Sequence, residues 1–246
     1  MSHVGQSARC VHADAREASG YEEALSGRKA QLLLSDPPYC ILTRRRKGGD
    51  LREGKGRKLD HEIVVRFEDV RAYRRFTAEW LPLAARHLAP GAPMVLWTNF
   101  LGKAPILEVA RGLGYGHLAG EFLWPKATTD KQGSERLLRL YEVALVLLPH
   151  PPPPRAPEDP PLPWAAVSGY DDEGEGTTWG SHPHHKPFGV LEPLLRAWSR
   201  PGDVVLDPFA GSGSIPVAAQ RLARVPACME LVGEWAARVT RRLSSA

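Results

Sequence analysis

Ser35-Asp36-Pro37-Pro38-Tyr39 follows a short apolar run and holds residue types that together can handle an amino group. Two prolines fix φ and remove two N–H donors, so the corner is stiff and presents carbonyl acceptors. A carboxylate beside such carbonyls suits an amine: Asp36 accepts one N–H hydrogen and the Pro37 carbonyl the other, with Pro38 shaping the turn. An exocyclic base amine is a poor nucleophile, because its lone pair is delocalised into the ring. Two hydrogen bonds to its hydrogens favour the pyramidal nitrogen, whose lone pair can attack. Tyr39 offers a flat face on which a base taken out of its helix can stack.

A second run lies far along the chain. Val204-Val205-Leu206-Asp207-Pro208-Phe209-Ala210-Gly211-Ser212-Gly213-Ser214 reads as an apolar strand, a turn of small residues and a helix start. Gly211 and Gly213 let backbone approach a ligand closely, and the helix start offers N–H groups to a carboxylate or phosphate. Glu230 ends the next apolar segment, where an acid can accept both ribose hydroxyl hydrogens of a nucleoside. The dinucleotide fingerprint needs a third glycine where this chain has Pro216, which disfavours NAD. The Gly-Lys-Ser/Thr of a triphosphate loop is also missing, so a nucleoside without a pyrophosphate fits better.

Both runs need a scaffold that brings them together. Strand-like segments at Ala30–Ser35, Met94–Thr98, Gly120–Trp124, Tyr141–Leu148, Asp203–Leu206 and Val225–Met229 alternate with helical ones. The helical stretches are Val70–His87, Ala104–Gly112, Leu191–Ser199, Ser214–Leu222 and Gly233–Leu243. Such alternation predicts an α/β chain with a doubly wound, mostly parallel sheet. Ligands in these sheets sit beyond the carboxyl ends of the strands, which points to Ser35–Tyr39, Asp207–Ser214 and Glu230.

With 246 residues, 43% hydrophobic and 24% charged, the chain is long and apolar enough for one substantial core. A single domain over residues 1–246 is expected. The longest apolar runs, Leu32–Leu34 and Val143–Leu148, fall far short of a bilayer span, and Met1–Arg9 has no apolar signal core. A cytoplasmic protein without a membrane partner is expected. Cys10, Cys40 and Cys228 are an odd number without CxxC spacing, which supports neither a disulfide framework nor a zinc ribbon. Cys40 has no histidine placed by sequence to activate it. His182, His184 and His185 cluster, but no carboxylate or cysteine completes a ligand set, so no metal is expected.

Net charge is only +4, so the distribution of charge matters more than its total. Between Cys40 and Asp60 eight basic residues, among them Arg44, Arg45, Arg46, Lys47 and Arg52, face three acids. Four glycines break any helix there, so residues 40–60 read as a basic loop that would meet phosphates first and bases second. Residues 149–181 hold nine prolines and then an acidic glycine-rich run, with six acids against one base. Acid opposite phosphate is repulsive, so this excursion is a poor groove reader.

The order of these motifs resembles the amino-group DNA methyltransferases that use S-adenosylmethionine, in their β-class arrangement, where the Asp-Pro-Pro-Tyr corner precedes the glycine turn. Ala89-Pro90-Gly91 before Met94-Val95-Leu96-Trp97, Phe122-Leu123-Trp124-Pro125-Lys126, Tyr141-Glu142-Val143-Ala144 and His182-Pro183-His184-His185-Lys186-Pro187 are similar to further segments of that family. The resemblance implies a Rossmann-like methyltransferase fold with a circularly permuted motif order. It implies that Asp36, Pro37, Pro38 and Tyr39 hold the target base and amine. Asp207, Phe209, Gly211 and Gly213 would form the cofactor pocket, with Ser214 capping the next helix, Lys186 at the methionine end and Glu230 on the ribose. Asp14, in Val11-His12-Ala13-Asp14-Ala15, would contact the cofactor adenine.

Asp rather than Ser at the head of the tetrapeptide resembles the N6-adenine members. The activity expected is methylation of adenine N6 in DNA, in a restriction-modification setting or outside one. Adenine in RNA and N4 of cytosine in DNA are the alternatives, and a non-catalytic nucleic-acid-binding relative is the alternative of another class. A homodimer is implied only by the resemblance.

Overall fold

The computed structural model describes residues 9–43, 65–125, 141–152, 162–164 and 185–245. Its strands are β1 (Cys10–His12), β2 (Leu32–Ser35), β3 (Met94–Thr98), β4 (His117–Pro125), β5 (Tyr141–Leu148), β6 (Val204–Asp207) and β7 (Val225–Glu230). The helices are α1 (Ala18–Leu25), α2 (Val70–Arg86), α3 (Lys103–Gly112), α4 (Phe188–Trp198), α5 (Ser214–Arg221) and α6 (Gly233–Ser245). The strands form one sheet in the order β1-β7-β6-β2-β3-β5-β4. All neighbouring pairs are parallel except those of β5, which runs antiparallel to both β3 and β4.

The inner strands carry apolar residues on both faces, so both faces must be covered. Leu33, Met94, Leu96, Val143, Leu145 and Leu206 pack on one side with Tyr21, Trp80 and Ile106 of α1, α2 and α3. Leu32, Leu34, Val95, Trp97, Ala144 and Val205 face the other way, onto Val190, Leu194, Ile215 and Ala219 of α4 and α5. α6 closes the β1–β7 end, where Ala236 and Val239 meet Cys10 and Cys228. Asp69 starts α2 by accepting the backbone N–H of Ala72 at 2.7 Å, satisfying one of the donors a helix start leaves over.

Two elements were not foreseen from the sequence, β1 and α1. They flank the connection that carries Asp14. The strand order also fixes where a ligand belongs. β2 connects through α2 to β3 on one side, and β6 connects through α5 to β7 on the other. The neighbours β6 and β2 are thus the topological switch point, and the crevice beyond their carboxyl ends is the expected ligand site.

Candidate active site

Leu32 pairs with Val205 and Leu33 with Leu206, so the Asp-Pro-Pro-Tyr corner and the glycine turn leave adjacent strands at the same end of the sheet. A side-chain bond fastens the two strand ends. Ser35 Oγ donates to Asp207 Oδ1 at 2.7 Å, and both residues are buried. Asp207 Oδ1 also accepts the Phe209 N–H at 3.2 Å, which bends the chain into the turn.

Asp36, Pro37, Pro38 and Tyr39 line a cavity of about 550 Å³ whose opposite wall includes Phe209, Gly211, Ser214 and Glu230. Tyr39 and Gly211 therefore open onto one space. Asp14 lines the same cavity at the end of β1, its carboxylate accepting from the Arg16 guanidinium at 2.6 and 3.0 Å, a bond that lowers its pKa. Glu230 holds its carboxylate by two backbone bonds. One oxygen accepts Gly211 N–H at 2.8 Å and the other accepts Val232 N–H at 2.9 Å. Each oxygen keeps a further lone pair for a ligand hydroxyl. Gly211 has φ +51°, a left-handed turn that keeps its backbone open to the cavity.

Some expected residues sit elsewhere. Asp207 is buried beneath the turn and is absent from the cavity wall; it shapes the pocket rather than facing it. Gly213 is likewise behind the wall, where it forms the N-cap of α5 at φ +84°. Ser214 is not the cap. It is the first helical residue, and its hydroxyl reaches back to accept Lys186 N–H at 3.2 Å and to meet His185 Nδ1 at 2.9 Å. Lys186 is almost wholly buried, and its ammonium lies on the amine-gripping corner rather than on the glycine turn. It meets Asp36 Oδ2 at 2.5 Å, Glu142 Oε2 at 3.1 Å and the Tyr39 hydroxyl at 3.2 Å, and it sits 4.9 Å from the centre of the Trp97 ring. Burial works against the charge, but the two carboxylates outweigh it and hold the Lys186 pKa above its ordinary value.

Glu142, quoted in the Tyr141-Glu142-Val143-Ala144 segment but given no role from the sequence, joins this cluster. Besides Lys186 it accepts the Tyr39 hydroxyl at 2.7 Å, and the phenol pKa is driven well up by burial and then by Asp36 and Glu142. Phe76, which the sequence did not single out, lines the same wall as the expected Phe209. Phe76 and Phe209 have ring centres 6.1 Å apart, and Phe209 stands edge-on to buried Trp80 at 5.0 Å.

Cys40 is buried and its thiol is pushed up to about 11 by that burial, which leaves little thiolate for nucleophilic work. Among the described residues no group of three His, Cys, Asp or Glu side chains is placed to hold a metal ion. No described helix is long and apolar enough to cross a membrane. Arg44, Arg45, Arg46, Lys47, Arg52, His182 and His184, with most of the segment 149–181, lie outside the described residues. The flanks of the basic segment are described, and both reach the cavity. Ile41 on one side and Val65 and Phe67 on the other line it, and the flanks are tied by Phe67 N–H to Ile41 O at 2.8 Å and Thr43 N–H to Phe67 O at 2.9 Å.

A switch-point cavity lined by a glycine turn, an acid-ended strand and a proline-stiffened corner is the ligand site of a doubly wound α/β protein. The family model described as DNA methylase, for N6 and N4 methyltransferases, matches residues 30–234, and the chain belongs to this family. YubD of Escherichia coli (strain K12), named as a methylase, is 28% identical over 213 residues, which are 85% of this chain and 79% of that one. Among solved structures, the M1.HpyAVI–SAM complex superposes with a TM-score of 0.67 at 19% identity, covering 96% of this chain and 98% of that one. PvuII DNA methyltransferase, named as cytosine-N4-specific, gives a TM-score of 0.68 at 15% identity, covering 98% and 90%. These likenesses establish the mostly parallel methyltransferase fold that the motif order implied.

Proposed function

We propose that this chain transfers a methyl group from S-adenosylmethionine to the exocyclic N6 amine of adenine in DNA. The observation that carries the reading is that the Asp36–Tyr39 corner and the Gly211–Glu230 cradle share one cavity. A methyl donor held in one half lies within reach of an amine held in the other.

The residues present fit the cofactor. The Glu230 carboxylate is fixed by Gly211 and Val232 and faces the cavity with acceptor capacity to spare for ribose hydroxyls. Exposed Leu231 and Val232 beside it offer an apolar edge to a purine, and Asp14 offers a carboxylate to its amino group. S-adenosylmethionine supplies an electrophilic methyl on a sulfonium. The chain's own residues do the rest by positioning and electrostatics. Asp36 accepts an N–H hydrogen of the target amine and, with the Pro37 carbonyl, favours the pyramidal nitrogen. Tyr39, anchored through its hydroxyl to Glu142, presents its ring to the extruded base. The Asp36 carboxylate stabilises the positive charge that grows on the amine as the methyl arrives, and is placed to take up its proton.

Asp36 at the head of the tetrapeptide supports adenine as the target base. DNA as the polymer is supported by the family, and by the described flanks of the basic segment, Ile41 on one side and Val65 and Phe67 on the other, which line the cavity. The cations of that segment, among them Arg44, Arg45, Arg46, Lys47 and Arg52, are of the kind that meets phosphates of such a polymer.

The test is label transfer from S-adenosylmethionine to varied DNAs, with the product digested to nucleosides. N6-methyladenine is expected. N4-methylcytosine would overturn the adenine assignment, and preferential labelling of matched RNA would overturn the DNA assignment. Asp36→Ala should cut turnover by on the order of a hundredfold or more. Cofactor affinity should stay within about twofold, because Lys186 keeps Glu142 as a counter-ion and the fold is spared.

A further inference from the structure

We propose that Glu142 is a positioning residue of the amine-gripping corner. It shares the Lys186 ammonium with Asp36, so that Asp36 retains negative charge for the target amine. The inference rests on the methyl-transfer reading above and gives a role to a residue that the resemblance held only as part of the Tyr141-Glu142-Val143-Ala144 segment.

Glu142 is the second residue of β5, and one of its oxygens, Oε2, gathers two groups of the corner. The Tyr39 hydroxyl donates to it at 2.7 Å, and the Lys186 ammonium lies 3.1 Å away. Lys186 meets Asp36 Oδ2 at 2.5 Å in the same cluster and is 3% exposed, so water does little to screen it. Two carboxylates thus share one buried ammonium. With Glu142 neutral, the cation would pair with Asp36 alone. That one-to-one pair would spend the charge of Asp36 on an internal partner, in competition with the amine it must grip. Glu142 therefore divides the cation's field and at the same time fixes the ring on which the base stacks. The face of Trp97, 4.9 Å from the ammonium, backs the cluster and limits where the cation can move.

The proposal is tested by two measurements on the full chain. In the first, Glu142→Gln keeps an amide oxygen for the Tyr39 hydroxyl and removes only charge. It should lower kcat tenfold or more, with KM for DNA and the dissociation constant for S-adenosylmethionine within about twofold. An unchanged kcat, or a loss confined to KM, overturns the positioning role. The second measurement needs no substrate. Asp36→Asn and Glu142→Gln should each melt close to wild type, because Lys186 keeps one carboxylate. The double variant strands a buried ammonium and should melt far below the sum of the single losses, and adding Lys186→Met should recover most of the difference. Additive losses would show that the cation is not shared and overturn the proposal. A wild-type protein that methylates no nucleic acid would instead bring down the functional reading, while the melting cycle still decides whether Lys186 is shared. The two failures are thus told apart.

Discussion

Asp207 is a carboxylate held where water does not reach. Oδ1 accepts from Ser35 Oγ and Phe209 N–H, while Oδ2 has no hydrogen-bond partner among the described residues. Burial outweighs those two bonds and raises the pKa from 3.8 to about 7. Between those values the folded protein keeps a proton that the unfolded chain has lost. Stability from this group therefore falls as pH rises from about 4 through about 7 and levels off above, a span worth roughly 4 kcal/mol. Asp207→Asn keeps the acceptor for Ser35 and Phe209 and cannot ionise. Urea unfolding at a series of pH values should show wild type losing stability relative to Asp207→Asn across that window. Parallel curves would mean that the buried carboxyl does not titrate there. The functional consequence is local: this residue ties the corner to the turn, so its charge state bears on the geometry of both.

Gly213 shows what the turn demands of the element that follows it. At φ +84° it sits in left-handed backbone, and a Cβ there would lie 3.1 Å from both methyl carbons of Val239 on α6. Gly213→Ala should destabilise the protein by about 1–3 kcal/mol in urea unfolding. Val239→Ala in the same chain should return only the part due to contact, because the backbone strain remains; a Gly213→Ala protein as stable as wild type would contradict this account. Such elements were legible in the sequence to different depths. β3 and β5 were read at their observed ends, because unbroken apolar runs bounded by turns and polar residues leave little choice. The helices were right to within a few residues. β1 and α1 gave no usable signal: three residues make no period, and α1 carries Gly20, whose place is set by Ala13, 2.6 Å from where its Cβ would be. The reversal of β5 has no local signature at all, since a buried strand reads the same in either direction. In the site, Asp36–Tyr39, Gly211 and Glu230 were visible because proline, glycine and a strand-ending acid restrict the backbone. Glu142 was quoted only within the Tyr141-Glu142-Val143-Ala144 segment and given no role, because an acid near the start of an apolar run looks like any solvated strand start. The resting place of the Lys186 ammonium depends on three residues remote in sequence.

The whole molecule is organised by one adjacency. β6 and β2 lie side by side although the chain travels through α2, β3, α3, β4, β5 and α4 between their sequence positions, and their onward connections diverge. The crevice that results has two walls from distant parts of the chain. A ligand seated against either wall stabilises a sheet common to both. S-adenosylmethionine at about a hundred times its dissociation constant should add about 2.7 kcal/mol to the unfolding free energy, seen as a rise in melting temperature. The two walls predict different sensitivities. Asp36→Asn alters only the amine side, so it should keep the full cofactor-induced rise. Glu230→Gln places an amide where two backbone N–H groups now find a carboxylate, so it should lose most of that rise while its ligand-free melting changes less. The opposite pattern, with the rise lost in Asp36→Asn and kept in Glu230→Gln, would mean that the cofactor lies against the proline corner and that the halves of the cavity are assigned the wrong way round.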